Sequence, residues 1–309
     1  MSFTRTKDRV WVAYDAVASW LAHRSMPVRK AGYGIFGLVF WIAYLLPGST
    51  VRATFASLSS QSGAASVTRL FHKYVRGFLL GVDRIEQVRH GYTDAIDAML
   101  RIPEEERLKG LLQQGGLLLL VPHAHATLAM GRGLAARYPL LALVRSTSDK
   151  RRATAELQIY ENLGCEFLDI QSENPTKVAR KVLKALSDGQ MVVAIADRIR
   201  DAPRPEQPVV ASRDLVRATS FGEPVGIAGW PGRFAWKASV PIVPATVVQT
   251  NSTISLHMGA AVTPTADLVE TTQSWVDELE RLIKSHPDEW TFALDKHWSK
   301  ALRGSGKID

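Results

Sequence analysis

The chain has almost no sulfur chemistry to offer. Cys165 is its only cysteine among 309 residues, which excludes an internal disulfide and any multi-cysteine metal site and suits a reducing compartment. Set in Leu-Gly-Cys-Glu-Phe, it reads as a buried structural thiol rather than a nucleophile. Zinc-finger spacing, nucleic-acid motifs and an aromatic-basic ribbon are all missing, so no nucleic-acid partner is expected. Neither a dinucleotide nor a P-loop glycine fingerprint is present, and no cofactor is expected. The start of the sequence lacks the features of a secretory signal and is expected to be retained. Repeats and low-complexity segments are absent too. The longest uncharged run, Ala31 to Leu46, has 16 residues; a comfortable bilayer span needs about 20. Three placements stay open for it: a tilted span, a helix lying in the membrane interface, or a buried helix.

What is present is basic and apolar. The formal net charge is +8 and hydrophobic residues make up 46% of the chain. That balance suits an anionic membrane or an acidic carrier protein. Arg29 and Lys30 precede the apolar run, Pro47-Gly48 close it, and Tyr33, Trp41 and Tyr44 could serve as interfacial aromatics. Residues 1–56 therefore read as a helical, membrane-associating segment and 57–309 as a separate α/β unit, joined by a small-residue linker over 57–66.

Two helical stretches are expected at 67–80 and 84–100, and another starts at Pro103 and ends at Gly115-Gly116. Beyond them the pattern alternates. Leu117–Val121 is a continuous apolar run, as in a strand buried on both faces. A helix over 126–138, a strand at 140–144, a helix at 150–163, a strand at 166–170, a helix at 175–187 and a strand at 191–196 follow. A Pro- and Arg-rich loop is expected over 199–216, then a helix at 224–237, strands at 241–249 and 253–260, and a helix near 271–286. Such alternation predicts an α/β fold with a mostly parallel central sheet flanked by helices.

In such sheets the working groups gather beyond the carboxyl ends of the strands. Two places answer to that rule. Pro122-His123-Ala124-His125 follows the most apolar strand, and Asp197-Arg198 follows the strand that begins at Met191. A histidine released there is suited to act as a general base, because its pKa lies near working pH; capping of the strand end is the plainer alternative. No acidic third ligand is near the two histidines, so no metal site is expected. Arg198, Arg200, Arg204, Arg213 and Arg217 put guanidinium forks, suited to phosphate or carboxylate, after Asp197.

These stretches resemble the bacterial lipid A biosynthesis acyltransferases (lauroyl and myristoyl transferases) of the lysophospholipid acyltransferase superfamily. The similarity runs from about residue 30 to 303. Its markers are the apolar N-terminal run, LLLLVPHAHATLAMG, ALVRS, VLKALSDGQMVVAIADR, FGEPVGIAGWPGRFAWKASVPIVPATV and HPDEWTFALDKHWS. The resemblance implies an apolar cleft for an acyl chain and an acyl thioester donor, commonly on acyl carrier protein. It also implies a lipid or amphiphilic acceptor and work at the cytoplasmic face of the bacterial inner membrane. The family pattern is His-x4-Asp/Glu, with the acid orienting the base. Here the acid position is Leu128 counted from His123, or Met130 counted from His125. In serine proteases, loss of the orienting acid lowers turnover about 10⁴-fold. Three explanations stand: Asp197 or Asp169 supplies the acid from elsewhere, the acceptor is an amine, or transfer has been lost and binding kept. His123 is the expected base with His125 its competitor. Arg145 corresponds to the family's strand-end arginine and, with Arg198 and Arg200, is expected to bind substrate. Asp197 corresponds to an acid that shapes the site. Trp290, Phe292 and Trp298 read as packing residues. A specialised transfer of an aminoacyl or modified acyl group remains the alternative activity.

Overall fold

The computed structural model describes residues 2–147, 149–205 and 215–304, for residues 2–11 and 150 the backbone alone; Pro208 and Arg213 lie outside the described residues. Four helices lead: α1 (Ser2–Ala22), α2 (Met26–Leu45), α3 (Thr50–Ser62) and α4 (Val67–Arg89). A short α5 (Asp94–Asp97), β1 (Leu100–Arg101) and α6 (Glu105–Gln113) connect them to the alternating region. That region runs β2 (Leu117–Val121), α7 (Thr127–Ala135), β3 (Leu140–Val144), α8 (Lys150–Glu161), β4 (Glu166–Asp169), α9 (Pro175–Ser187) and β5 (Met191–Ile195). After it come β6 (Ile199–Asp201), β7 (Leu215–Ser220), β8 (Glu223–Ala228), α10 (Trp230–Ala238), β9 (Ile242–Gln249), β10 (Ile254–Met258), α11 (Leu268–Ser285), a 3₁₀ turn (Thr291–Leu294) and α12 (Lys296–Leu302).

The main sheet has the order β1-β10-β9-β2-β5-β3-β4. All its neighbours are parallel except the β9–β10 pair. The anticipated α/β class, a mostly parallel sheet covered by helices, is what forms. Its centre is β2, whose five residues are all buried. Leu118 and Leu120 enter the apolar cluster with Trp275 and Trp290, while Leu117, Leu119 and Val121 enter the one with Met130 and Leu134. Helices on both faces therefore explain why this strand is apolar at every position instead of alternating. Each such side chain contributes roughly 1.5–3 kcal/mol on burial.

Three local expectations are revised. The stretch 57–66 is not a linker: α3 continues to Ser62, passing through position 56, because Thr54, Phe55, Leu58 and Ser59 form one buried helical face. The helices expected at 67–80 and 84–100 are one continuous helix to Arg89, followed by the short α5 and β1. The helix expected from 224 begins only at Trp230, since 223–228 is strand β8, the centre of a second sheet ordered β6-β8-β7. Phe221 and Gly222, both at positive φ (52° and 77°), make the two-residue turn between β7 and β8, a turn whose twist matches that of paired strands. Gly226 lets β6 approach β8: a Cβ there would stand 2.5 Å from the Asp201 carbonyl oxygen.

Glycine on α4 sets one further closeness. A Cβ on Gly81 would stand 2.9 Å from His125 Cβ, and one on Gly77 would stand 2.9 Å from His125 Cδ2. The turn after β2 is thus seated directly against this helix. Gly81→Ala is expected to lower unfolding stability by about 1–3 kcal/mol, the ordinary cost of overpacking. Gly110→Ala on α6, where a Cβ meets nothing within 4 Å, is expected to raise it by about 0.5–1 kcal/mol. Urea unfolding of both variants checks the pair, and a stabilised Gly81→Ala would contradict the contact.

Candidate active site

Strand register brings the two expected polar turns together. Val121 of β2 lies opposite Ile195 of β5 as the last aligned pair, and the Ala196 N–H continues the ladder to the Val121 carbonyl at 3.0 Å. Two residues further along each strand stand His123 and Asp197. The His123 backbone N–H donates to Asp197 Oδ2 at 3.0 Å, and His123 Nδ1 stands 2.5 Å from Asp197 Oδ1. Asp197 is 1% exposed. A carboxylate so deeply buried needs every partner it can find, and Trp290 supplies one, donating its Nε1–H to Oδ2 at 2.8 Å. Trp298 Nε1–H donates to the Asp197 backbone carbonyl at 2.6 Å.

The same C-terminal segment holds the histidine. Thr291 donates to the His123 carbonyl from its backbone N–H at 2.7 Å and also from its hydroxyl. The Phe292 ring stacks on the imidazole, with centroids 3.5 Å apart and planes 7° from parallel. Against an ionised carboxylate, which only accepts, Nδ1 is the donor, and in the neutral ring that leaves Nε2 as the acceptor. Among the described residues Nε2 has no hydrogen-bond partner. His123 lines a cavity of about 570 Å³. The cavity is walled largely by apolar groups of α4, α7, β3 and β5, among them Val82, Leu128, Leu143 and Val193. Leu128, the position of the family acid, is thus part of the apolar wall.

The other expected residues divide. Arg145 and Arg198 line the same cavity and are exposed. Arg145 Nε donates to Gln171 at 2.8 Å, and the Arg198 guanidinium carbon is 5.5 Å from the centre of the Phe292 ring. Arg200 is exposed on β6, opposite Gly226, and is not among the cavity walls. Asp169 is occupied elsewhere, accepting from the Ser146 hydroxyl at 2.5 Å. His125 does not face solvent. It is 3% exposed, its Nε2 bonds the Asp288 carbonyl at 2.9 Å, and its Nδ1 has no partner. Burial lowers its pKa to about 3, which keeps the ring neutral. Cys165 lies in the cavity wall, its thiol pushed up by burial and so not activated. Among the described residues no three histidine, cysteine, aspartate or glutamate side chains cluster as metal ligands.

The geometry of a histidine bonded to a buried aspartate beside an apolar cavity can be set beside sequence comparison. The family model for bacterial lipid A biosynthesis acyltransferases matches residues 9–300. The chain belongs to that family. Comparison with curated proteins finds no match. Membership in the lipid A acyltransferase family implies an acyltransferase with a lipid-like acceptor, and family members are membrane-associated. Sequence reasoning overlooked Trp290, Thr291, Phe292 and Trp298 as supports of the site. The signal was there, because HPDEWTFALDKHWS was among the most family-like stretches; its contact with the His turn, made through the Ala124–Trp290 bridge, was not.

A pH test follows from His125. Its native pKa is depressed from 6.5 to about 3, so between these values the unfolded chain binds the extra proton. Stability from this group is present above pH 6.5 and declines as pH falls toward 3. Glu289 works in the opposite sense: burial raises it from 4.5 to about 7, which costs stability as pH rises across that window. The two are separated by comparing wild type with His125→Gln in urea at pH 5 and pH 7. Wild type is expected to lose stability relative to the variant at the lower pH, by at most about 1.4 kcal/mol per pH unit. An unchanged difference would mean that His125 is not buried as described.

Proposed function

We propose that the protein transfers an acyl group from a carrier-protein thioester to a hydroxyl of a lipid-like acceptor, with His123 as general base and Asp197 as its orienting acid. The observation that carries this reading is the His123–Asp197 pair, 2.5 Å apart, with His123 lining the apolar cavity. Nε2 removes the acceptor proton while the oxygen attacks the thioester carbonyl carbon. The carbon–sulfur bond then breaks, and the thiolate leaves with the proton from the imidazolium. Asp197 stabilises that charged ring and fixes its tautomer. The cavity volume lies within the range of ligand pockets, about 300–1,000 Å³, and its wall suits an acyl chain. Arg145 and Arg198 at the cavity are suited to an anionic group on donor or acceptor.

The apolar Leu128 was the reason to consider an amine acceptor or a scaffold that has lost its chemistry. Asp197, bonded to His123 Nδ1, supports instead a hydroxyl acceptor and retained chemistry. Membrane contact is supported by α2, where Ile35, Leu38, Val39, Ile42 and Leu45 are each more than half exposed along one face. Among the described residues no single helix is long and apolar enough to cross a membrane. Helices α2 and α3 would do so only as a pair bent by 84°. We therefore assign α2 to the interface of the inner membrane, on its cytoplasmic side, where acyl carrier protein is available.

The experiment is incubation of the purified protein with acyl carrier-protein thioesters of several chain lengths and a bacterial lipid extract, followed by mass spectrometry. His123→Ala and Asp197→Asn are each expected to lower transfer about 10³- to 10⁴-fold, while His125→Gln retains activity within about tenfold. Transfer undiminished in His123→Ala would overturn the assignment. If only aminoacyl carriers are consumed, the specialised transferase is the right reading.

A further inference from the structure

The α2–α4 interface holds a second cavity, separate from the one at His123. It has a volume of about 490 Å³. The two helices run antiparallel: Arg29 bonds Asp83 at 2.7 Å, and Trp41 meets His72 with ring centroids 6.1 Å apart. Helix α4 divides the two cavities, since Phe78 and Val82 face the first and Leu79 and Asp83 the second. Gly34 and Gly37 of α2 line this groove and keep it open.

Its walls are amphiphilic in an ordered way. Apolar surface is supplied by Leu38, Trp41, Val75 and Leu79, and it continues outward into the exposed stripe of α2. Cationic surface is supplied by Lys30 on α2 and Arg76 on α4. Both are exposed. Lys30 has no ion pair or hydrogen bond among the described residues, and Arg76 has only the Asn251 side chain, at 3.1 Å. The one carboxylate in the groove, Asp83, is already neutralised by Arg29. An independent mark comes from Tyr33, which lines the groove, is 3% exposed and carries a hydroxyl with no hydrogen-bond partner among the described residues. A buried phenol so placed ordinarily has a partner.

We propose that this groove binds one anionic phospholipid drawn from the bilayer, its phosphate between Lys30 and Arg76 and an acyl chain along Leu38 and Trp41. The lipid would leave the leaflet sideways along the exposed face of α2 without its chains meeting water. Charge complementarity selects the head, since the groove has two unneutralised cations and no free acid. This site is distinct from the acyl-transfer cavity and does not depend on its chemistry.

The test uses short-chain dihexanoyl phosphatidylglycerol, titrated into the full chain by calorimetry. Saturable one-to-one binding is expected, and dihexanoyl phosphatidylcholine should not reproduce it. Gly34→Leu fills the groove at a position where a Cβ meets nothing within 4 Å; it leaves charge unchanged and should not weaken the helix. Both Gly34→Leu and the pair Lys30→Ala with Arg76→Ala are expected to weaken binding at least about tenfold. Arg69→Ala with Lys73→Ala removes the same charge from α4 outside the groove and should leave affinity within about twofold, as should His123→Ala. Equal loss in the two double variants would reduce the effect to general surface charge and overturn the proposal. So would undiminished binding in Gly34→Leu, the absence of saturable binding in the wild type, or displacement of the lipid by equimolar inorganic phosphate.

Discussion

A carboxylate placed at 1% exposure beyond the end of a central strand has few ways to be tolerated. Asp197 is tolerated because the structure around it is arranged to donate hydrogen bonds. The His123 backbone and imidazole, on the neighbouring strand end, satisfy one side, and the Trp290 indole satisfies the other. The His123 imidazole, its backbone N–H and the Trp290 indole are all gathered on that single buried carboxyl group. Removal of one donor would leave it short in a medium where an unmet charge costs several kcal/mol.

A carboxyl group stands beside His123 even though the family's acid position does not carry one. The usual acid would sit at the second residue of α7, just after the turn that carries the histidine. Here that position is Leu128, part of the apolar wall, and the acid comes from β5. The exchange works because β2 and β5 are hydrogen-bonded neighbours in parallel register, so residues equally far past their ends stand side by side. Geometry, rather than spacing along the chain, is what a histidine base requires of its partner.

Around the His123–Asp197 pair, one helix presents different faces to different parts of the structure. Helix α4 presents Gly77 and Gly81 to the His turn, Phe78 and Val82 to the acyl-sized cavity, and Val75 and Leu79 to the groove against α2. His125, although it shares the turn with the base, points into this helix and serves packing, with Tyr74 and Phe78 edge-on to its ring. On a continued strand these two residues would face the same way; they part because the chain leaves β2 at Val121 and turns, the Ala124 N–H donating to the Pro122 carbonyl at 2.8 Å.

The sequence by itself determined the fold class, because runs such as Leu117–Val121 and Met191–Ile195, separated by helical patterns, leave little but a parallel sheet covered on both faces. Strand-end logic also picked out His123 and Asp197 as places for chemistry. What sequence could not decide was their pairing, the retreat of His125 into the core, the strand at 223–228, or the supporting roles of Trp290, Thr291 and Phe292. Each of these depends on contacts between residues far apart in the chain. The register of β2 with β5 joins positions 74 residues apart, and the C-terminal segment reaches the His turn across 168. Local periodicity carries no information at that range, and only the closed tertiary structure brings the partners together.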